Sequence, residues 1–348
     1  MSLPAHLPAS RVPDPAQAPP LNWGIMAPGW IAGAFSRALK TFTRQRLVAV
    51  GSRSAERAER FAAEFEVPQA YSSYEELVAD PSVQVIYVAS PHSEHFRQAS
   101  LAIEAGKHVL VEKAFTRNAG EARHLVAAAE AAGVTLMEAM WTRFLPHTDI
   151  VRQLLADGTL GEIETLIADH GQVLGPDRVP RLHDPALAGG ALLDIGIYPI
   201  SYAVFALGLP GRVQAVGTLT ETGVDRQVSI LMDGFAKHPR AHAVLTTTLA
   251  AKTPTTATIS GTAGRVELED AFYIPGPVRL VDVDGDQVVR PERQYLAHQG
   301  LCHEAAHFAQ LVADGRRESP LLPLAESVAI IEILDQIRAQ IGVRYPGE

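Results

Sequence analysis

The sequence predicts an α/β protein of two domains: an N-terminal parallel sheet with crossover helices, then a C-terminal α+β domain with a large, mostly antiparallel sheet. Three observations predict it. From Leu21 to Glu138 short apolar runs alternate with helical stretches, the pattern of strands joined by helices of about 10–15 residues. Beyond Pro146 strand-like runs dominate at turn-bounded spacing, which marks an antiparallel sheet. The length of 348 residues is too great for one small core and suggests about two domains.

The first half is expected as follows. Leu21–Met26 is a strand and Ile31–Lys40 a helix; Arg46–Gly51 and Ala55–Phe65 repeat the pair. Val83–Ala89 leads to the helix Glu94–Ala105, closed by Gly106. Val109–Glu112 is a short buried strand. Asn118 with Glu121 three residues later makes a capping-box-like start to the next helix, and Gly133 sits where a C′ glycine belongs. Val134–Glu138 is the last strand of this half.

Composition narrows the function. Hydrophobic residues make up 47% and charged residues 20%, as in ordinary globular proteins. A net charge of −9 argues against nucleic acid or an anionic membrane as the main partner. Cys302 is the only cysteine, which excludes an intrachain disulfide and a multi-Cys zinc site. No apolar run is expected to reach the ~20 residues of a membrane span. The first twenty residues hold six prolines and lack the order of a signal peptide; residues 1–20 are expected as a disordered tail and the protein as cytoplasmic.

The first βα turn carries Ala27, Pro28, Gly29, Trp30, Ile31 and Ala32. Set against the dinucleotide fingerprint, Ala27, Gly29 and Ala32 take its three small positions. Gly29 lets the backbone approach a pyrophosphate, and Ala32 lets helix and strand pack closely. The N-terminal domain, residues 21–142, is therefore Rossmann-like and binds a dinucleotide. The second strand ends in Gly51-Ser52-Arg53-Ser54, with no acid until Glu56. An arginine between two hydroxyls suits a 2′-phosphate, so NADP is favoured and NAD remains possible. The third strand end delivers Ser90, Pro91 and His92 to the cofactor border, with His95 on the first helical turn. Glu112 and Lys113 close the next strand, at the crevice where open α/β sheets bind ligands.

The second domain is expected over residues 143–348. A helix near Asp149–Asp157 ends at Gly158. Strands are expected at Gly161–His170, Val213–Thr220, Gln227–Asp233, Ala241–Ala250, Thr256–Ser260 and Gly264–Glu269, and closing helices at Cys302–Asp314 and Leu324–Ile341. The last helix carries an Ile/Leu stripe that serves packing. Asp194 and Tyr198 stand four apart, on one face of a helix. An acid and a phenol together grip and deprotonate a hydroxyl. Gly189 and Gly190 permit close approach of backbone to a ligand.

The glycine-poor turn, Ala-Ser-Pro-His-x-x-His from Ala89, and Glu112-Lys113 followed by Ala114 occur in an order that resembles the Gfo/Idh/MocA oxidoreductases. Met137–Pro146 and Val179–Pro185 resemble the dihydrodiol and D-xylose dehydrogenase branch. Ala114 replaces the family's usual proline, which alters turn rigidity and leaves the lysine in place. The resemblance implies a catalytic set of Lys113, Asp194 and Tyr198. It implies hydride transfer at a hydroxyl or carbonyl carbon of a sugar or cyclic diol, with Tyr198 or Lys113 as base and no metal. Trp141 would stack on a sugar, Arg143 would donate to a hydroxyl, and Arg181 and His183 would lie on a substrate loop. A homodimer or higher homo-oligomer is implied as well.

Two other readings compete. His303-Glu304-Ala305-Ala306-His307 matches the zinc-protease pattern, though it begins a late helix in a chain built for a dinucleotide. A non-enzymatic dinucleotide sensor would use the same fold; the joint presence of Lys113, Asp194 and Tyr198 argues against it.

Overall fold

The computed structural model describes residues 4, 6–269, 271–290 and 295–348. The chain forms two compact units. One comprises Pro13–Phe144 and Ala297–Ile331, the other Met1–Val12, Leu145–Leu296 and Glu332–Glu348.

The first unit is built on a parallel sheet of six strands: β1 (Asn22–Met26), β2 (Arg46–Gly51), β3 (Gln69–Tyr71), β4 (Val85–Val88), β5 (His108–Glu112) and β6 (Leu136–Ala139). Their order is β3-β2-β1-β4-β5-β6, every pair parallel. This order reverses direction between β1 and β4, which makes a crevice beyond their carboxyl ends. The crossovers include α1 (Trp30–Phe42), α2 (Ala55–Phe65), α3 (Tyr74–Ala79), α4 (His95–Glu104) and α5 (Ala119–Ala132). As expected, Asn118 caps α5 by accepting from the Glu121 amide at 3.0 Å, and Gly133 closes it in the left-handed conformation. The short pair β3 and α3 was not expected. Gln69–Tyr71 is a half-exposed edge, a strand only because it pairs with Ala49–Gly51.

The second unit opens with α6 (Pro146–Ala156) and contains α7 (Ile197–Leu207) and eight strands: β7 (Ile163–Gly171), β8 (Arg212–Leu219), β9 (Asp225–Asp233), β10 (His242–Thr248), β11 (Ala257–Gly261), β12 (Gly264–Leu268), β13 (Val278–Asp282) and β14 (Gln287–Arg290). They lie in the order β14-β13-β12-β11-β7-β10-β9-β8. Only β7 and β10 pair in parallel; the other pairs are antiparallel. The six expected strands are present, and β13 and β14 are additions at the edge. Two late helices follow, α8 (Leu301–Ala313) and α9 (Leu324–Ile341).

Three expectations need correction. The N-terminal residues are held, where described, rather than disordered: Arg11 grips the Asp149 carboxylate at 2.7 Å, Arg290 donates to the Pro8 carbonyl, and Pro15–Gln17 forms a capped 3₁₀ turn. Proline-rich composition says little where side chains supply such anchors; residues 1–3 and 5 lie outside the described set. The division expected at residue 142 falls at Phe144, and α8 goes with the parallel sheet. The reason is packing: Phe308 lies 5.6 Å from the Trp23 ring, which also meets Phe35 at 5.5 Å. Finally, Pro185–Leu207 is long and apolar enough to cross a bilayer, but 94% of its apolar window is buried inside the fold. It is a core segment.

Candidate functional site

In the parallel-sheet unit the turn after β1 meets the requirements of a pyrophosphate cradle. Ala27 takes φ of +68°, the left-handed region where the fingerprint's first glycine belongs. Its amide bonds the Gly51 carbonyl at 3.1 Å, tying this turn to the end of β2. Gly29 is the N-cap of α1. A β-carbon there would meet only the Ala27 and Ala89 carbonyl oxygens, each 4.0 Å away. The fold therefore leaves Gly29 open on the side where α1 presents its amides. Ala32 is fully buried, as expected.

Beyond β2, the Ser54 hydroxyl caps α2 and the Ser52 hydroxyl accepts from the Ser54 amide at 3.2 Å. Arg53 is exposed beside Tyr74. A cleft of about 290 Å³ opens next to this loop, lined by Pro28, Gly29, Trp30, Arg37, Arg57 and Arg60 among others. Arg57 and Arg60 were missed in the sequence, where they read as an ordinary exposed helix face. Only the packing of α2 beside α1 brings them to the cradle.

Lys113 follows β5, and the Lys113–Ala114 peptide bond is cis. The surroundings of this lysine are organised by buried polar groups. The Lys113 amide bonds Glu112 at 3.2 Å, and the Tyr87 hydroxyl donates to the same carboxylate. His95 is completely buried, its ring nitrogens each 2.9 Å from a carbonyl oxygen, of Ala114 and of Ser90. Burial, with the Lys113 charge added, pushes its pKa down to about 4. The neutral ring donates to one carbonyl only and braces the loops after β4 and β5. His95, expected at the cofactor, is thus a brace, and His92 packs edge-on against it. Glu138 accepts from the Phe115 amide and Ser327 hydroxyl, and burial raises its pKa to about 7.

Trp141 lies flat against His298 at 5.3 Å, and Trp30 meets the same ring edge-on at 4.8 Å. Burial and the Lys113 charge hold the His298 pKa below its usual value. His298 was not anticipated; nothing in its local sequence marks it. Arg143 is 2% exposed and bonds Glu326 at 2.6 Å. Its guanidinium is committed within this unit, so the expectation of a hydroxyl donor gives way to a structural ion pair.

The antiparallel unit supplies Asp194 and Tyr198. Residues Leu192–Gly196 form a π-helical turn that runs straight into α7. The four-residue spacing therefore spans a π-to-α junction, a feature frequent at functional sites. Asp194 accepts from Arg181 at 2.9 Å. Tyr198 is 8% exposed and packs against Tyr273 at 4.5 Å and His170 at 5.4 Å. His170 Nε2 accepts from the Gln172 amide, so its Nδ1 carries the proton and donates to the Ile195 carbonyl at 3.1 Å. Burial and the Asp194 charge hold the Tyr273 phenol above its usual pKa. His183 contacts the Leu174 carbonyl at 2.8 Å. Sequence reasoning missed His170 and Tyr273, which reach Tyr198 only through the sheet.

The two glycines serve a different end from the one expected. A β-carbon on Gly189 would stand 2.6 Å from the Leu182 carbonyl oxygen, and one on Gly190 would stand 2.1 Å from the Asp225 carboxylate. Gly190 has φ of +112°. The space that glycine leaves is filled by the protein itself, not kept for a ligand.

A parallel sheet with this strand order and this cradle, followed by a domain presenting an acid beside a phenol, defines an NAD(P)-dependent oxidoreductase. The chain belongs to the Gfo/Idh/MocA family. Residues 21–140 match its oxidoreductase NAD-binding Rossmann-fold domain, and residues 149–267 its C-terminal domain. Mouse trans-1,2-dihydrobenzene-1,2-diol dehydrogenase is 39% identical over 337 residues, 94% of this chain and 98% of the relative. The human enzyme of that name is 38% identical over 334 residues, with the same coverage. Among solved structures, the 3-ketoreductase KijD10 of Actinomadura kijaniata, in complex with NADP and TDP-benzene, is similar with a TM-score of 0.81 and 27% identity, covering 93% of this chain and 98% of its own. Aldose-aldose oxidoreductase from Caulobacter crescentus, complexed with glycerol, matches at 0.81 and 25%, covering 92% and 97%.

The zinc-protease pattern has a local explanation. His303 and Glu304 are buried in α8, and His307 bonds the Ser319 hydroxyl at 2.8 Å while stacking on Phe144. Among the described residues, no three His, Cys, Asp or Glu side chains stand together to hold a metal ion.

Proposed function

We propose that this protein is an NADP-linked dehydrogenase or reductase of a sugar-like or cyclic-diol substrate. The observation that carries the reading is the Asp194–Tyr198 pair, set across a π-to-α junction with Arg181 bound to the acid. Ala27, Pro28, Gly29, Trp30 and Ile31 would hold the pyrophosphate end of the cofactor. Ser52, Arg53 and Ser54 would face the 2′-phosphate, with Arg57 nearby, and Ser90, Pro91 and His92 would border the rest. When bound, the nicotinamide supplies the hydride acceptor for a carbinol carbon, or the donor in reverse.

The chain's own groups then manage the proton. As the C–H and O–H bonds break and C=O forms, Tyr198 takes the hydroxyl proton. An unperturbed phenol, with a pKa near ~10, is a poor base at neutral pH. Lys113 contributes the positive charge that makes phenolate attainable and steadies oxygen charge in the transition state. Asp194 accepts from a neighbouring substrate hydroxyl, and Arg181 keeps that carboxylate aimed. Trp141 and His183 complete the substrate contacts in this reading.

The test is direct. Purified protein is mixed with NADP or NAD and a panel of aldoses, inositols and trans-cyclic diols, and reduced cofactor is followed by absorbance. Turnover of at least one with NADP is expected. Tight cofactor binding with no turnover of any would replace the enzyme by a sensor.

The same reading includes a homodimer. What supports it is the outward face of the antiparallel sheet, where Leu231 pairs with Val244 and Val244 with Ile167 in one exposed apolar row. Sedimentation of the wild type should give a dimer, and Val244→Glu should shift it to monomer.

A further inference from the structure

We infer that Tyr345 and Asp225 are positioning residues for the reaction proposed above, clamping the Gly189–Gly190 turn and the π turn that carries Asp194. Neither stands near Asp194 in the sequence. The inference rests on the assignment of Asp194 to the reaction.

The clamp has two arms. The buried Tyr345 hydroxyl donates to the Gly189 carbonyl at 2.8 Å. Asp225, completely buried at the start of β9, accepts from the Leu192 amide at 2.6 Å through Oδ2. Leu192 is the first residue of the π turn, so its amide is one of the orphan donors at a helical start. Asp225 satisfies that donor and fixes where the turn begins, two residues before Asp194. Glycine is obligatory at 190 because the carboxylate occupies the space of a side chain.

The Tyr345 arm is itself braced. Arg338 of α9 lies over the Tyr345 ring at 4.7 Å and binds Glu348 at 2.8 Å and Asp335 at 2.6 Å. The Tyr345 amide bonds Glu348 at 3.2 Å. On the opposite side of the turn, the Gly190 amide donates to the Leu182 carbonyl at 2.8 Å, and the neighbouring Arg181 reaches Asp194. A fault at Gly189 or Leu192 therefore reaches Asp194 along a short helical segment, and through the Arg181 loop as well. Misplacement of about 1 Å can cost ~10²-fold in rate.

The test pairs Tyr345→Phe and Asp225→Asn with Asp194→Asn. Turnover of D-xylose and of trans-1,2-dihydrobenzene-1,2-diol is measured with NADP, together with NADP affinity and amide hydrogen exchange of Leu192–Gly196. Y345F and D225N are expected to lose about tenfold in kcat with NADP affinity unchanged, and to exchange the Leu192–Gly196 amides faster while β7 and β10 stay protected. Wild-type kcat, or wild-type protection of the π turn, in both variants overturns the clamp. Full activity in D194N overturns instead the assignment of Asp194. Should neither substrate react, hydrogen exchange alone decides the clamp.

Discussion

Arg181 and Asp194 meet at 2.9 Å, the acid nearly buried and the guanidinium half exposed. A pair of this kind adds little to stability, since water and salt screen the exposed partner, but it fixes the direction of the carboxylate. Arg181→Gln should change unfolding free energy by about 0–1 kcal/mol while lowering kcat/KM about tenfold. Thermal unfolding beside steady-state kinetics checks both.

Lys113→Met and Tyr198→Phe separate charge from base. Each should reduce turnover by ~10²–10⁴-fold, the span of a lost proton-transfer partner, with NADP affinity within a few-fold of wild type. If Tyr198 is the base, the residual rate of K113M should rise with pH towards ~10, whereas Y198F should show no such limb. A pH–rate profile of both variants distinguishes them.

The cofactor choice turns on charge beyond β2. Arg53→Glu places an anion where a 2′-phosphate is proposed and should weaken NADP binding at least tenfold, about 1.4 kcal/mol, with much less effect on NAD. Titration with each dinucleotide, monitored by Trp fluorescence, reads this directly.

Glu138 makes stability depend on pH. Burial lifts its pKa to about 7, above the ordinary ~4.3. Between those values the folded chain binds more protons than the unfolded one, so this group's contribution falls as pH rises through the window. Glu138→Gln removes the titration while keeping an acceptor for Phe115 or Ser327. The wild type should lose roughly 2–3 kcal/mol relative to E138Q between acid and neutral pH. Denaturant melts across that range test it.

Gly190→Ala should be among the most damaging changes in the antiparallel unit. It imposes a β-carbon on the Asp225 carboxylate and on a left-handed backbone, with a cost on the order of 3–5 kcal/mol. Soluble yield and melting temperature report the loss.

The order of the elements was legible locally. Strand and helix periodicity, the Asn118 cap and the Gly133 stop need only neighbouring residues, and the helix Ala55–Phe65 was placed to the residue. The fingerprint turn and the spacing of Asp194 from Tyr198 were visible for the same reason. Strands β3, β13 and β14 were not: β3 is a three-residue edge that exists through its pairing with Ala49–Gly51, and β13 and β14 form a hairpin at the edge of the second sheet.

By itself the sequence determined which chemical groups are available: a lysine at the end of a strand, an acid and a phenol four residues apart, and a glycine at a helix start. Tertiary structure decided which of them are committed elsewhere. It bound Arg143 to Glu326, buried His95 between two carbonyls, and brought His170, Tyr273, Asp225 and Tyr345 to the Asp194 turn. Local signals arise from backbone propensity over a few residues. Burial and hydrogen-bond partnership depend on segments far apart in the chain, as Tyr345 and Gly189 are at 156 residues and Arg290 and Pro8 at 282, and only the folded chain brings these together.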